Sequence, residues 1–323
     1  MLRTIVGDCE TMHGAVPDWE DRLATVNSRC AEVLASPEFA AVSEIAATLG
    51  VALPQLRELV ARTARQGLPL DLWEPLAEAC DKRGITQDSH VLQRFLLLSS
   101  GIANLHLVPQ LPVPDEVKGR LLDQFSYVCV PDREMERLLK PRDYGFRVMC
   151  KFMLLERFPA GQSDWEISGF PRSHLLKMPW RDVPKTLRCV FLRARGRRPF
   201  FESHTAFRRD LPIVTEDGER KVYRLMAGAM KLQPAIRGYV GSSWLVDPSL
   251  AVVSPHLAWL ADWWRECADF GAVWTNIGEA RPNAGFLVGD RHRRKLYQSG
   301  QWKPREGLIV WERRDFLRWF DHQ

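Results

Sequence analysis

I-R-G-Y-V-G-S-S-W-L-V-D-P-S-L, residues 236–250, is the stretch on which the fold turns. Its first eleven residues are rich in β-branched and aromatic types and read as a strand, interrupted by Gly238 and Gly241. Glycine inside a strand often marks a bulge or a place where another backbone or a ligand comes close. Downstream, Ser254 before Pro255 offers an N-cap hydroxyl and a first-turn proline, Leu257, Leu260, Trp264 and Cys267 recur at helical spacing, and Gly271 ends the run. A-V-W-T-N-I (272–277) predicts the next strand. Asp290 caps a short basic helix, R-H-R-R-K-L-Y-Q-S, that Gly300 closes, and G-L-I-V-W (307–311) predicts a further strand. The order is strand, helix, strand, short helix, strand.

Upstream, L-R-C-V-F-L-R (187–193) and R-P-F-F-E-S-H-T (198–205), with Gly196 between them, predict two antiparallel strands, and residues 223–232 a helix. One mixed sheet over 187–311 is therefore expected, with a helix over 254–269 packed on it through Leu257, Leu260 and Trp264. Residues 132–158 show a second helical pattern. The stretch 108–116, V-P-Q-L-P-V-P-D-E, holds three prolines and is the expected boundary. Residues 18–100 are helical in pattern, with Leu56, Leu59, Val60 and Thr63 at spacings of three and four and Gly50, Gly67 and Gly84 as C-caps. The expectation is a helical N-terminal domain over 1–112 and an α/β domain over 113–323.

The chain has 323 residues, 46% hydrophobic and 26% charged, which excludes a disordered or fibrous protein. Residues 1–110 carry nine basic side chains against fourteen acidic, whereas residues 281–323 carry ten against five. This asymmetry points to an anionic partner for the later part. Seven scattered cysteines without a C-x-x-C pair suggest small buried hydrophobes in a reducing compartment, and neither a disulfide framework nor a thiolate metal site. Asp8 and Glu10 interrupt any secretory signal, and the most apolar stretch, 91–108, is too broken to span a membrane. A cytoplasmic protein without a membrane partner is expected. No H-E-x-x-H, G-x-G-x-x-G, G-x-x-x-x-G-K or G-x-S-x-G is present, which removes the usual zinc protease, dinucleotide, P-loop and α/β-hydrolase readings.

The element order, with L-Y-x-x-G entering a last strand, resembles the C-terminal half of the GNAT acetyltransferase fold. More narrowly, W-L-V-D-P-S-L (244–250), S-P-H-L-A-W-L (254–260) and K-L-Y-Q-S-G-Q-W-K-P-R-E (295–306) resemble the end of arginyl-tRNA–protein transferases. Asp247, Pro248, Tyr297, Trp302, Lys303 and Pro304 occupy places comparable to that family's D-P dipeptide and M-x-Y-K-x-x-(Y/F)-(R/K)-P motif. The family carries an N-terminal cysteine cluster that the scattered cysteines here do not supply. The resemblance therefore implies the wider class of GNAT-fold transferases that move an aminoacyl group from aminoacyl-tRNA to an amine or hydroxyl of a small molecule or peptide. It implies substrate contacts at Asp247, Trp244 and Tyr297, and no cofactor or metal. Asp247 also has a plain structural reading, since Asp before Pro commonly starts a turn.

Two further readings stay open. An acyl-CoA enzyme of this fold normally shows Q/R-x-x-G-x-G/A where the central strand enters its helix, because backbone N–H groups must approach the pyrophosphate. D-P-S-L-A-V-V-S-P-H-L (247–257) contains no glycine, and Pro255 lacks a donor. The third reading is a non-catalytic RNA-binding protein.

Arg291, Arg293, Arg294, Lys295, Lys303 and Arg305 lie among Tyr297 and Trp302, a mixture that can hold an RNA backbone and stack unpaired bases. The same cations can equally form a solvated basic face. Arg195, Arg197 and Arg198, just after Arg193, make a second cluster. Glu202 and His204 are two apart in a predicted strand and emerge on one face, where they could take the proton an attacking amine must lose. The alternatives are a hydrogen-bonded surface pair or part of a metal site, for which no second histidine has partner spacing. Backbone N–H groups around Gly241, Ser242 and Ser243 are the candidate oxyanion donors.

Overall fold

The computed structural model of the chain describes residues 19–68, 70–85, 90–130, 144–205, 214–279 and 291–323. By contacts the chain divides into two units, a helical one extending to Pro159 and a second running from Ala160 to Gln323, with Pro112–Pro114 clustering with the second.

In the helical unit, Trp19–Leu34, Pro37–Thr48, Leu53–Gln66, Leu70–Lys82, Val91–Leu105, Asp115–Val128 and Tyr144–Met153 are helices. Val91–Leu105 is buried nearly all round, including Gln93 and Arg94, whose guanidinium donates to the carbonyls of Val128 and Cys129. Gly50, Gly67 and Gly84, each just past a helix, take positive φ of 68°, 96° and 77°, which glycine adopts without strain. The six described cysteines are free and buried, as a hydrophobe's role requires, and Cys9 lies outside the described residues. No single helix among the described residues is long and apolar enough to cross a membrane.

The strands are β1 (Arg157–Pro159), β2 (Ser163–Ser168), β3 (Phe200–Thr205), β4 (Gly238–Ser243), β5 (Val273–Glu279) and β6 (Arg305–Glu312), in one mixed sheet of order β1-β2-β3-β4-β6-β5. β2 and β3 are antiparallel, from Ser163 opposite Thr205 to Ser168 opposite Phe200. β4 and β6 are antiparallel from Gly238/Glu312 to Ser243/Gly307, and β5 pairs with the far side of β6. β3 and β4 are parallel, which requires a crossover, and the helix Glu216–Leu232 supplies it. That helix buries Val222, Tyr223, Met226, Ala227 and Met230 on one stripe. It begins seven residues before the expected 223 because the Thr215 hydroxyl accepts from the Gly218 amide, and Glu216, Asp217 and Glu219 sit at the positive end of the helix dipole.

Successive β3 side chains alternate between two layers. Phe200 joins Phe170, Met178, Cys189, Val190, Val240, Leu308 and Val310 in a core on one face. On the other face the Tyr223 ring packs against Tyr239, Trp263 and Phe316, with centroids 5.1, 5.0 and 5.6 Å away.

Several elements differ from expectation. Residues 187–193 are not a strand: Val183–Leu187 is α-helical and Arg188–Arg193 continues it as a π turn. Adjacent Cys189 and Val190 are both buried while Leu192 is 74% exposed, which is incompatible with two-residue alternation. The Ser254 hydroxyl is buried and caps nothing. Pro255–Leu257 is a 3-10 turn, and the α-helix starts at Trp259. Trp263, rather than Trp264, is that helix's core tryptophan, and Trp264 is half-buried, its indole N–H donating to the Leu245 carbonyl. β2 was not expected at all, because its first three residues are all buried and show no alternation. Of the helix expected over 132–158, residues 144–153 are helical, 157–159 form β1, and 131–143 lie outside the described residues. Asp290 also lies outside them.

Candidate functional site

The parallel ladder of β3 and β4 holds only Phe201/Tyr239 and Glu202/Val240. Both strands run on, β3 to Thr205 and β4 to Ser243, so the β3-facing edge of Gly241–Ser243 has no ladder partner in β3. Glu202 stands at the parting. Across the ladder it faces Glu166 of β2, and His204 follows on the same face with its Nε2 3.7 Å from the Glu166 carboxylate. The donor atoms of Glu166, Glu202 and His204 lie within 4.8 Å of one another, and all three residues are half-buried. Such a group can accept and pass a proton, and the same three atoms could share a divalent cation.

His174, on the short helix Arg172–Lys177, borders this face. Burial lowers its pKa, and the nearby carboxylates of Glu306 and Glu202 partly restore it. Spacing in the sequence could not have singled out Glu166, His174 or Glu306. Strand register brings Glu166 to Glu202, and a covering helix sets His174 within electrostatic reach of both Glu202 and Glu306.

On the opposite face the Tyr239 hydroxyl lies 2.7 Å from Ser203 Oγ and accepts from the Tyr223 hydroxyl at 2.9 Å. Burial pushes both phenols above their ordinary pKa. The Tyr239 hydroxyl also covers Gly241, where a Cβ would overlap it, so this glycine answers a close approach of a side chain. Ser243 Oγ accepts from the Leu245 amide at 3.1 Å, and Ser242 is half-buried on the split strand.

Asp247 is buried, and both its carboxylate oxygens accept from backbone amides: Oδ1 from Ser249 at 3.0 Å and Oδ2 from Arg305 at 2.9 Å. It thereby ties its own turn to the start of β6. Trp244 and Tyr297 are half-buried, and the Arg293 guanidinium lies 4.9 Å from the Trp244 ring centroid. Arg293 is itself buried, while Arg291, Arg294 and Lys295 of the same helix, and Lys303 and Arg305 beyond it, are exposed. Lys303 lies 3.9 Å from Glu279. Trp302 is buried and donates to Ser249 Oγ at 3.0 Å. A cleft of about 270 Å³ next to Asp247 is lined by Leu257, Leu260, Trp264, Arg265 and Trp274, and Glu202 and His204 are not in its lining.

Arg195 and Arg198 are exposed and Arg197 half-buried, on a turn whose Ala194 and Arg198 carbonyls accept from Arg237 at 2.8 and 2.6 Å. Arg193 instead pairs inward with Asp315.

Because β3 and β4 are the parallel pair, the turn that a phosphate-cradling enzyme would use enters the helix at Glu216, and the stretch 247–257 is not that turn. The residues 206–213 just before it lie outside the described residues. Gln162 closes this helix end: its Oε1 accepts from the Thr215 amide and its Nε2 donates to the Thr215 carbonyl, both at 3.0 Å. Glu216, Asp217 and Glu219 place three carboxyl groups in the first turn of the helix among the described residues.

No family model matches the chain, and no curated protein does. Among solved structures, an acyltransferase in complex with decanoyl-CoA aligns with a TM-score of 0.50 at 13% identity, covering 93% of this chain and 89% of the other. Acyltransferase structures with decanoyl-CoA and teicoplanin, and with CoA and 10C-teicoplanin, align with a TM-score of 0.48 at 12% identity. The first covers 93% of this chain and 89% of the other, the second 95% and 92%. At such identity the likeness is one of fold: a GNAT-like mixed α/β sheet with flanking helices, preceded by a helical N-terminal region.

Proposed function

We propose that the chain is an acyltransferase that moves an acyl group from an acyl thioester of the acyl-CoA class to an amine or hydroxyl acceptor. The observation carrying this reading is the parting of β3 and β4 directly beyond Glu202, with Glu202, His204 and Glu166 gathered on one face of it. An extended thioester arm can lie along the free edge of Gly241–Ser243 and bond its backbone as a strand would, while Glu202 and His204 take the acceptor's proton as it attacks. The fold neighbour's acyl-CoA ligand supports the choice of donor. The test is to incubate decanoyl-CoA with a panel of primary amines and alcohols and to read thiol release and acylated product. Thiol release that is the same with and without the protein counts against the reading.

Transfer from aminoacyl-tRNA is the second reading, and the acidic, Gln162-capped start of the helix Glu216–Leu232 favours it, because that end repels a pyrophosphate. Arg291, Arg294, Lys295, Lys303 and Arg305 would then meet phosphates. Faster deacylation of a mixed aminoacyl-tRNA pool, with decanoyl-CoA left intact, would select it.

A further inference from the structure

We propose that the layer formed by residues 172–198 is a peripheral docking surface for anionic lipid bilayers. Its inward side chains, Met178, Cys189, Val190 and Ala194, share the core with Phe200, Val240 and Leu308 and fix the layer on the sheet. Its outward side chains include large apolar ones: Leu176, Trp180 and Leu192 are 91%, 86% and 74% exposed, and Leu187 and Phe191 are exposed in the same stretch. Together with Val252, the first three are the most exposed large hydrophobic residues among those described. Large apolar side chains left in water in one short stretch mark an interaction surface.

Charge identifies the partner. Residues 172–198 hold nine Lys and Arg against one acidic residue, Asp182. Asp182 is buried, accepting from the Thr275 hydroxyl at 2.8 Å and pairing with Lys185 at 2.7 Å. Arg172, Lys177, Arg181, Lys185 and Arg188, from the same stretch as Leu176 and Trp180, are exposed. Nucleic acid would meet the cations and could stack on Trp180, but it gains nothing from exposed leucines. A bilayer interface takes all three kinds of side chain: leucine among the acyl chains, indole at headgroup depth and cations on anionic headgroups. Arg172–Lys177 and Val183–Leu187 are far too short to span, so contact is superficial. His174 shares its helix with Leu176 and lies near Glu202 and Glu306, so a bound bilayer would adjoin the candidate site.

The test uses the full chain and needs no turnover, so it succeeds or fails separately from the acyl-transfer reading. Sucrose-loaded vesicles of phosphatidylcholine, with and without phosphatidylglycerol, are sedimented with the protein. Pelleting is expected with phosphatidylglycerol, little is expected without it, and added salt weakens it. Joint Trp180→Ser and Leu192→Ser replacement should lower partitioning by about tenfold or more with the thermal melt unchanged, since both side chains are exposed. Indifference to phosphatidylglycerol, unchanged partitioning of the variant, or a variant that loses tRNA binding but pellets normally would each overturn the proposal.

Discussion

Glu166 and Glu202 share one register position of the β2–β3 ladder, face to face, with the imidazole of His204 3.7 Å from the Glu166 carboxylate. Like charges directly opposite on a sheet are destabilising. If this group removes the acceptor's proton, His204→Ala and Glu202→Gln should each lower turnover by roughly 10² to 10⁴ with donor binding nearly unchanged. Glu166→Gln keeps the base and removes one charge, so its effect should be smaller than either. Steady-state kinetics on the three variants checks the ranking.

Asp247→Asn should act on stability and leave KM for the acceptor unaltered, because both carboxylate oxygens already hold the amides of Ser249 and Arg305. Loss of one charged acceptor at a buried site predicts a destabilisation of about 1–3 kcal/mol. Urea unfolding should show a lower midpoint at constant m-value. A raised KM with unaltered stability would instead assign Asp247 to the substrate.

Arg293→Ala and Arg294→Ala should separate packing from charge. The Arg293 side chain is buried against Trp244, and its truncation should lower stability by about 1–3 kcal/mol. Arg294 is exposed, and its replacement should stay within about 0.5 kcal/mol. If tRNA binds here, the Arg294 change flattens the salt dependence more than the Arg293 change does.

Two glutamates should shape the pH dependence of stability in opposite senses. Hydrogen bonding from Arg220, then from Trp319, holds Glu266 below its ordinary pKa of 4.5. Its contribution is therefore present above that value and is lost as pH falls through the lowered one. Burial raises Glu219, so its contribution is present below 4.5 and is lost as pH rises through the raised value. Glu266→Gln should cost about 1–2 kcal/mol at neutral pH and flatten the acid limb, whereas Glu219→Gln should flatten the loss on the neutral side. Thermal melts across pH 3 to pH 8, roughly the window in which carboxylates titrate, distinguish the two.

The GNAT-like order was legible from residue 236 onward because each element there carries local punctuation, such as Gly271 after the helix and Gly300 after the basic one. Residues 187–193 misled because a π turn with two adjacent buried residues mimics a short apolar strand. Of the candidate site, Glu202 and His204 were readable from their two-residue spacing. Glu166 lies 36 positions before Glu202 and meets it only through antiparallel register, which no local pattern encodes. The absence of glycine over 247–257 does not bear on the parallel crossover, because that pair, β3 and β4, is set by long-range pairing. Arg293 looked like its neighbours in a basic run until helix phase turned it inward.

Ser203, the first β3 residue past the ladder, shares a hydroxyl bond with Tyr239, which is still paired with Phe201, and the Tyr239 ring is wedged against Tyr223 and Phe316. Strand ends that have lost their partners ordinarily fray. Here the start of the parting is tied on one face to the buried ring cluster through Tyr239. If an acceptor enters there, as the acyl-transfer proposal requires, it meets one wall set by packed rings, and discrimination would then fall to the flank around Glu166 and His174.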